Sequence, residues 1–546
     1  MSKENKRLYF YLALITAAAL AVRLWGIAFG LPHKEARPDE TTVIYMAILT
    51  LKNGLAPASL VYPTGYIYLL AFCYKIWGAF SGGTEGLVRQ YAVNADVLFL
   101  ISRGLSAVFG ALTVLPVFRT AKNLFGLKVG YAAAVFAAFC VLLVRDSHFG
   151  TLDATAVFFI ACSLDFSVSA YVRGKTLDYV LAGVFAGAAM GVKYIGMLMP
   201  VQLAVVHFLR MGRENRSFLS GIADRRPWFF ALAMLAAFAV TTPYAFLDPG
   251  RLLADYRFHK TLHKISEGST LAHHLIFSLR YALTLPVLFL SVAGAGLMLA
   301  KVPLRALALS GFFIAYLVVL NKVSSTFIRY VLPLLPVMCI YAGYAVSALS
   351  ARIKNIRVFP GLLIAANGLP LLVCADWDYA LSRTDTRVLS VEHAKSAIAP
   401  GSSVAVFASV YSHPQLSWDD AYLGSVSELF RGVDNPLKAE IYDQMRKNRS
   451  VWYKRVLYED GIFKDAKGNF VMPDYIILAR GAYEPVPDQK FSAALASKYV
   501  ECGHVYSGLS GPSVVLEPSD AFYLPLKGSI SHPGPEMIFY KLVSKS

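Results

Sequence analysis

Residues 62–80, YPTGYIYLLAFCYKIWGAF, decide how the rest of the chain is threaded. The stretch is apolar and aromatic, yet Pro63, Gly65 and Lys75 interrupt it. If it crosses a membrane, every later loop changes sides; if it lies in the interface, the loops stay where the first helix puts them. Lysine and arginine collect in cytoplasmic loops, so their distribution arbitrates. With an interfacial 62–80, the inner short loops hold fifteen Lys and Arg residues between Arg119 and Arg357. The outer short loops hold eight: Arg145, Lys193, Arg251, Arg257, Lys260, Lys264, Lys322 and Arg329. The asymmetry favours the interfacial reading.

The 546 residues are 56% hydrophobic and only 16% charged, outside the usual range for a water-soluble domain. Crossing a hydrocarbon core takes roughly 20 helical residues, and apolar runs of that order recur from Leu8 to Ala375 and then stop. The class is therefore a polytopic α-helical membrane protein. A basic N-terminus and an apolar run to about Gly30, without a small-residue cleavage site, predict a retained signal anchor with the N-terminus in the cytoplasm. Residues 41–51 read as a short mixed helix. Further spans are expected at 98–118, 129–144, 151–172, 177–192, 194–209, 228–246, 274–299, 304–320, 328–349 and 358–375, about eleven in all. An odd number puts the C-terminal portion on the outer face. The net charge of +17 falls largely in short loops, with no basic stripe of interleaved aromatics, so nucleic acid is not expected as a partner. The six cysteines show no CxxC spacing and imply neither a disulfide framework nor a cysteine metal site. No internal repeat of the transporter kind is visible.

The division expected is a transmembrane domain, 1–375, and a soluble α/β domain, 376–546. In the latter, strands are predicted at 404–410, 475–478, 513–516 and 537–542, with a helix at 388–399. His413, His504 and His532 are widely spaced and read as surface residues.

Chemistry must come from polar groups at the ends of the spans, because ionisable residues at membrane depth are costly and tend to line a path or cavity. Arg37-Pro38-Asp39-Glu40 carries two adjacent carboxylates just past the first span; the plainer reading is a solvated loop. Arg145-Asp146-Ser147-His148 leads to Asp153 at a helix start, where an acid also simply suits the helix dipole. Lys193 follows Gly183, Gly187 and Gly191, whose four-residue spacing lets helices pack closely; its plainer role is to snorkel. Arg329 and Tyr330 head the run IRYVLPLLP. Basic groups at this level suit a phosphate, which lysine holds as a point charge and arginine by a bidentate fork.

RPDE, YPTGYIYLLA, SHFGTLDATAVFF, LAGVFAGAAMGVKY and IRYVLPLLP, in that order, resemble the polytopic glycosyltransferases of the GT-C superfamily. The branch is that of the protein O-mannosyltransferases and the aminoarabinose transferase acting on lipid A. The resemblance covers about residues 8–375, and TDTRVLSVEHAKSAIAPGSSVAV and GPEMIFYKL look like the extracytoplasmic domain of bacterial relatives.

The resemblance implies a multi-pass protein of the cell inner membrane. It would move a sugar from a polyprenyl-phosphate donor to a hydroxyl of a lipid, glycan or protein acceptor on the outer face, with inversion. Asp39 and Glu40 take the place of the family's acidic pair, with Asp39 as general base. Lys193 would lie by the lipid phosphate, Asp153 would line the sugar pocket, and His148, Arg329, Tyr330 and Tyr62 would belong to the substrate site. No cofactor is implied; metal use varies in the family, and no DxD string surrounds Asp39. The DxD of Asp376 and Asp378 reads as linker. Aminoarabinose transferases carry Lys-Pro where this chain has Tyr62-Pro63, so that substrate is not assigned. A polyprenyl-linked glycan flippase or transporter, or a polymer ligase, is the alternative class.

Overall fold

In the computed structural model, described over residues 3–37, 39–262, 270–323, 326–353, 357–449, 451–481, 484–506 and 532–543, the apolar runs are helices. A helix satisfies its backbone hydrogen bonds internally, as hydrocarbon demands. Among the described residues seven helices are long and apolar enough to cross a membrane, and up to nine if each of two bent pairs counts as one. Two more of the expected spans, Thr176–Val192 and Arg226–Thr241, are shorter helices of 17 and 16 residues. The chain gathers into two compact units. Met1–Trp25, Asn53–Leu70 and Ser102–Ala375 form the first; Gly26–Lys52, Ala71–Ile101 and Asp376–Ser546 form the second.

Within the first unit, two runs expected to be continuous are broken. Leu127–Phe139 and Val141–Ser147 are bent by 50°, with Cys140 extended between them at φ −62 and ψ 118. The buried Arg23 guanidinium lies against this break. It donates to the carbonyls of Ala138 (2.9 Å), Ala137 (3.4 Å) and Ala19 (2.8 Å), and to Ser147 Oγ (3.2 Å). The 274–299 run is likewise Leu271–Leu283 and Leu285–Lys301, bent by 115°. Pro286 opens the second helix; it lacks an N–H and disfavours helical backbone in the residue before it. Thr284 turns the corner at φ +67, a conformation that is rare for a β-branched residue.

The glycine stripe does what its spacing predicts. Cβ atoms added at Gly183, Gly187 and Gly191 would lie 2.3 Å from the Phe230 carbonyl oxygen, 2.2 Å from that of Met234 and 1.9 Å from Thr241 Oγ1. Only hydrogen fits there, so Thr176–Val192 and Arg226–Thr241 pack backbone to backbone.

Residues 62–80 become the helix Gly65–Ser81. The helix before it, Glu40–Lys52, joins the second unit's helix Pro436–Lys447 through the Lys52–Glu440 ion pair and through Lys438, 5.8 Å above the Tyr45 ring. The helix after it, Gly83–Val93, packs on that same helix. Both flanking helices therefore pack on Pro436–Lys447 within the second unit.

The α/β part of the second unit holds a mixed sheet of β1 (Ser403–Phe407), β2 (Lys454–Glu459), β3 (Ile462–Lys464), β4 (Tyr475–Arg480), β5 (Tyr499–Val505) and β6 (Glu536–Leu542), ordered β3-β2-β1-β4-β6-β5. β1 runs parallel to β2 and β4, and the other pairings are antiparallel. Three predicted strands and the helix Thr386–Ala397 are found; the predicted strand at 513–516 lies outside the described residues. Apolar clusters cover both sheet faces, one around Val404, Ile477 and Phe539, the other around Ala405, Ile476 and Phe491. β2 and β3 were not foreseen, although Asp460-Gly461, both at positive φ, is a strong hairpin signal.

Overpacking a close helix contact costs about 1–3 kcal/mol. Gly187→Ala is expected to lower unfolding stability by that amount, whereas Gly212→Ala, which meets no atom within 4 Å, should be neutral or slightly stabilising. Chemical unfolding of both variants in detergent checks this; equal effects would refute the packing argument.

Candidate active site

In the second unit the acidic loop is built around its backbone. Asp39 takes φ +75 immediately before Glu40–Lys52, and its carbonyl accepts the Val43 N–H at 3.0 Å. Left-handed backbone is uncommon outside glycine, is best tolerated by Asn and Asp, and persists where surrounding structure imposes it. That structure is visible. Arg37 and Glu40 are fully buried, while Asp39 is half-buried. Thr41 donates to Glu35 Oε2 at 3.2 Å, and Lys34 Nζ donates to the Tyr91 carbonyl at 2.9 Å, at the C-terminal end of Gly83–Val93 where a cation is favoured. Burial holds the Lys34 ammonium down at about 8 and pushes the Glu35 carboxyl up. Gly30, at φ +68, permits the loop to close: a Cβ there would stand 2.2 Å from that of Ala36.

The same loop is pinned to the α/β part. His33, 2% exposed, donates from Nε2 to the His413 carbonyl at 2.9 Å. Beside it, the fully buried Arg387 grips Asp385 with two bonds, Nε to Oδ1 at 2.7 Å and Nη2 to Oδ2 at 2.5 Å, and donates Nη1 to the Tyr411 carbonyl at 2.8 Å. Asp385 also caps Thr386–Ala397 by accepting the Arg387 N–H at 2.9 Å. Sequence reasoning missed His33, Asp385 and Arg387; an Asp opening a helix with Arg two residues on was the available signal.

In the first unit, Asp153 and Lys193 form an ion pair, Nζ to Oδ1 at 2.5 Å, with the lysine about one third exposed. Each stands at the helix end that suits its charge: Asp153 opens Asp153–Arg173, and Lys193 follows Thr176–Val192. Asp153–Arg173 also packs on Ile328–Leu334, which carries Arg329 and Tyr330. There Tyr316 donates to the Tyr330 carbonyl at 2.7 Å, and Arg329 lies 4.7 Å over the Phe327 ring. Tyr62 follows a segment held by its neighbours: Tyr194 donates to the Leu60 carbonyl at 2.7 Å, and Asp255 Oδ2 accepts the Leu60 N–H at 2.6 Å. His148 is fully buried, with Nδ1 3.0 Å from the Val144 carbonyl and Nε2 2.9 Å from that of Trp25, beside the turn after Val141–Ser147. Asp376 and Asp378 are not linker but the last turns of the helix Val358–Leu381, with Asp378 fully buried. Among the described residues no group of three or more His, Cys, Asp or Glu is arranged to hold a metal ion.

Burial holds both His33 and His413 down at about 3, with Arg387 adding to the effect on the first and Arg455 on the second. The unfolded chain binds these protons near the ordinary value of about 6.5. Between the two values the unfolded state binds more protons, so stability falls as pH drops below about 6.5. The thermal midpoint is expected to decrease from pH 7 to pH 5, and to decrease less in His33→Asn. Parallel slopes for wild type and variant would contradict this.

Residues 97–246 match the family model of dolichyl-phosphate-mannose-protein mannosyltransferase. A search of curated proteins gave no significant match. Among solved structures, the Archaeoglobus fulgidus oligosaccharyltransferase AglB, in complex with an inhibitory peptide and a dolichol-phosphate, matches with a TM-score of 0.50 at 14% identity, over 88% of this chain and 70% of that one. The apo form of the oligosaccharyltransferase from the same organism gives 0.50 at 15% identity, over 80% of this chain and 59% of the other. ArnT from Cupriavidus metallidurans, bound to undecaprenyl phosphate, gives 0.48 at 16%, over 80% and 75%. The chain is thus a multi-pass membrane protein with the fold of the GT-C glycosyltransferases, bearing over residues 97–246 the pattern of the dolichyl-phosphate-mannose-protein mannosyltransferases.

Proposed function

We propose that this chain transfers a sugar from a polyprenyl-phosphate donor to an acceptor hydroxyl on the outer face of the inner membrane, by a single inverting displacement. The observation that carries the reading is Asp39, a carboxylate on left-handed backbone at a helix start, framed by buried partners. Strain of that kind clusters at functional sites. The family pattern over residues 97–246 and the fold shared with a protein solved with dolichol-phosphate support the donor class.

In this reading the acceptor hydroxyl attacks the anomeric carbon as Asp39 takes its proton, and the bond from that carbon to the phosphate oxygen breaks. The polyprenyl phosphate leaves with the bonding electron pair. Glu40 supports the base. Lys193 neutralises the phosphate, assisted by Arg329, and Asp153 serves both to hold that lysine and to line the sugar site. Tyr62 and Tyr330 complete the substrate surface.

Asparagine tolerates the backbone of Asp39, so Asp39→Asn removes the base and spares the fold. Transfer from a radiolabelled polyprenyl-phosphate sugar is expected to fall by about 100-fold or more, the usual worth of a general base, with an unchanged thermal midpoint. Undiminished transfer would remove Asp39 as base, and transport without any transfer in the wild type would favour a flippase. Lys193→Ala should raise the apparent KM for donor more than for acceptor; equal shifts would speak against a phosphate role.

A further inference from the structure

The hairpin that brings Asp153 and Lys193 together closes at its other end, roughly 25–30 Å away, in the turn Gly174–Lys175. Arginines gather on that turn. Arg226 donates Nη1 to the Gly174 carbonyl at 2.9 Å, and Arg210 donates Nη1 to the Tyr171 carbonyl at 3.0 Å. Both are balanced by carboxylates, Arg226 by Asp224 and Arg210 by Glu214, and beside them Arg173 pairs with Asp178 and Arg216 with Asp224. Three more cations of the patch are exposed: Lys175, Arg225 and Arg213, the last lying 5.0 Å over the Tyr171 ring. Among the described residues none of the three has a carboxylate partner.

An apolar helix stands in the midst of this charge. Phe218–Ile222 is capped by Ser217, whose Oγ accepts the Ser220 N–H at 3.2 Å, and it docks on the span-forming helix Met199–Arg213. His207 donates Nε2 to the Gly221 carbonyl at 3.1 Å while the Tyr179 hydroxyl donates to Nδ1 at 2.9 Å, and the Phe218 ring stacks on Phe208 at 4.8 Å. So held, Phe218, Leu219 and Ile222 remain 64%, 75% and 53% exposed. Loop charge alone is the ordinary pattern of membrane proteins; a docked helix that turns three large apolar side chains outward among arginines is not. At the end of a span those side chains meet acyl chains, and cations beside them stand at the level of lipid phosphates. Arginine forks match the oxygens of a phosphate bidentately.

We propose that Lys175, Arg213 and Arg225, together with the helix Phe218–Ile222, bind an anionic phospholipid: the cations take its phosphate group, and Phe218, Leu219 and Ile222 enter the acyl layer beside it. The site lies at the far end of the spans from Asp153 and Lys193 and does not rest on the transferase reading.

Native mass spectrometry of the full chain in mild detergent, titrated separately with phosphatidylglycerol, phosphatidylcholine and glycerol 3-phosphate, tests it. Phosphatidylglycerol is expected to bind about fivefold or more tightly than phosphatidylcholine, the worth of one cation near a lipid surface. Lys175→Gln, Arg213→Gln and Arg225→Gln, combined, should weaken phosphatidylglycerol by about tenfold or more and leave phosphatidylcholine unchanged. Arg213→Lys with Arg225→Lys keeps the charge, and so a folded protein if the glutamine variant lacks one; it should weaken binding several-fold because it loses the forks. Lys301→Gln with Arg352→Gln removes charge from other span ends and should change nothing. Phe218→Ser with Leu219→Ser should weaken both lipids alike. Equal binding of the two lipids by the wild type, an undiminished preference in the glutamine variant, or an equal loss in Lys301→Gln with Arg352→Gln overturns the site. Glycerol 3-phosphate binding as tightly as phosphatidylglycerol points to a soluble phosphate, and serine variants that change neither lipid leave the helix to a protein partner; either result overturns the lipid assignment. Binding is read without turnover, so its failure is distinct from a failure of Asp39→Asn to block transfer.

Discussion

The buried Asp385–Arg387 pair is the interaction on which the second unit turns. Arg387 spends its donors on Asp385 and on the Tyr411 carbonyl, and Asp385 also caps the helix it precedes. Next to the pair, His33 reaches the His413 carbonyl, and the Thr386 N–H is taken by the Pro533 carbonyl at 2.8 Å. A buried ion pair adds little net stability over apolar packing, but losing one partner leaves an uncompensated charge. The arrangement therefore selects one placement of the loop that ends in Asp39. Backbone at φ +75 survives because the residues around it have nowhere else to go.

The first unit solves a different problem, that of polar groups among apolar helices. Breaks at Cys140 and Thr284 give up regular helical bonding, and around the first of them Arg23 supplies donors to the carbonyls. The Asp153–Lys193 pair follows from the architecture. Gly174, at φ +68, and Lys175 make a tight turn between Asp153–Arg173 and Thr176–Val192, so the start of the first helix meets the end of the second. The glycine stripe then fixes that hairpin against Arg226–Thr241.

Much of this was legible beforehand. Hydrophobic runs marked the helices, and β-branched runs marked β1, β4 and β6. The individual candidates Asp39, Asp153 and Lys193 stood out as charges at span ends. Their pairing was readable in principle from the tight turn at Gly174, since a helical hairpin joins its two far ends. Other features were hidden for physical reasons. His33 and Arg387 are hundreds of residues apart in sequence, and nothing local announces that a loop near the first span will dock on a sheet. The burial of His148 and the approach of its ring to the Trp25 carbonyl are tertiary facts that the local sequence does not announce. The break at 284 was signalled by Pro286 but outweighed by the apolar run around it, and the β2–β3 hairpin hid behind the charges of KRVLYE.

The central claim is that the sugar arrives on a lipid phosphate. Native mass spectrometry of the wild-type protein, purified in mild detergent from its own membranes, tests this most directly. A retained ligand with the mass of a polyprenyl monophosphate bearing one sugar residue, lost in Lys193→Ala, is what the account predicts. Wild-type protein carrying only ordinary phospholipids, even after incubation with polyprenyl-phosphate sugars, would contradict it.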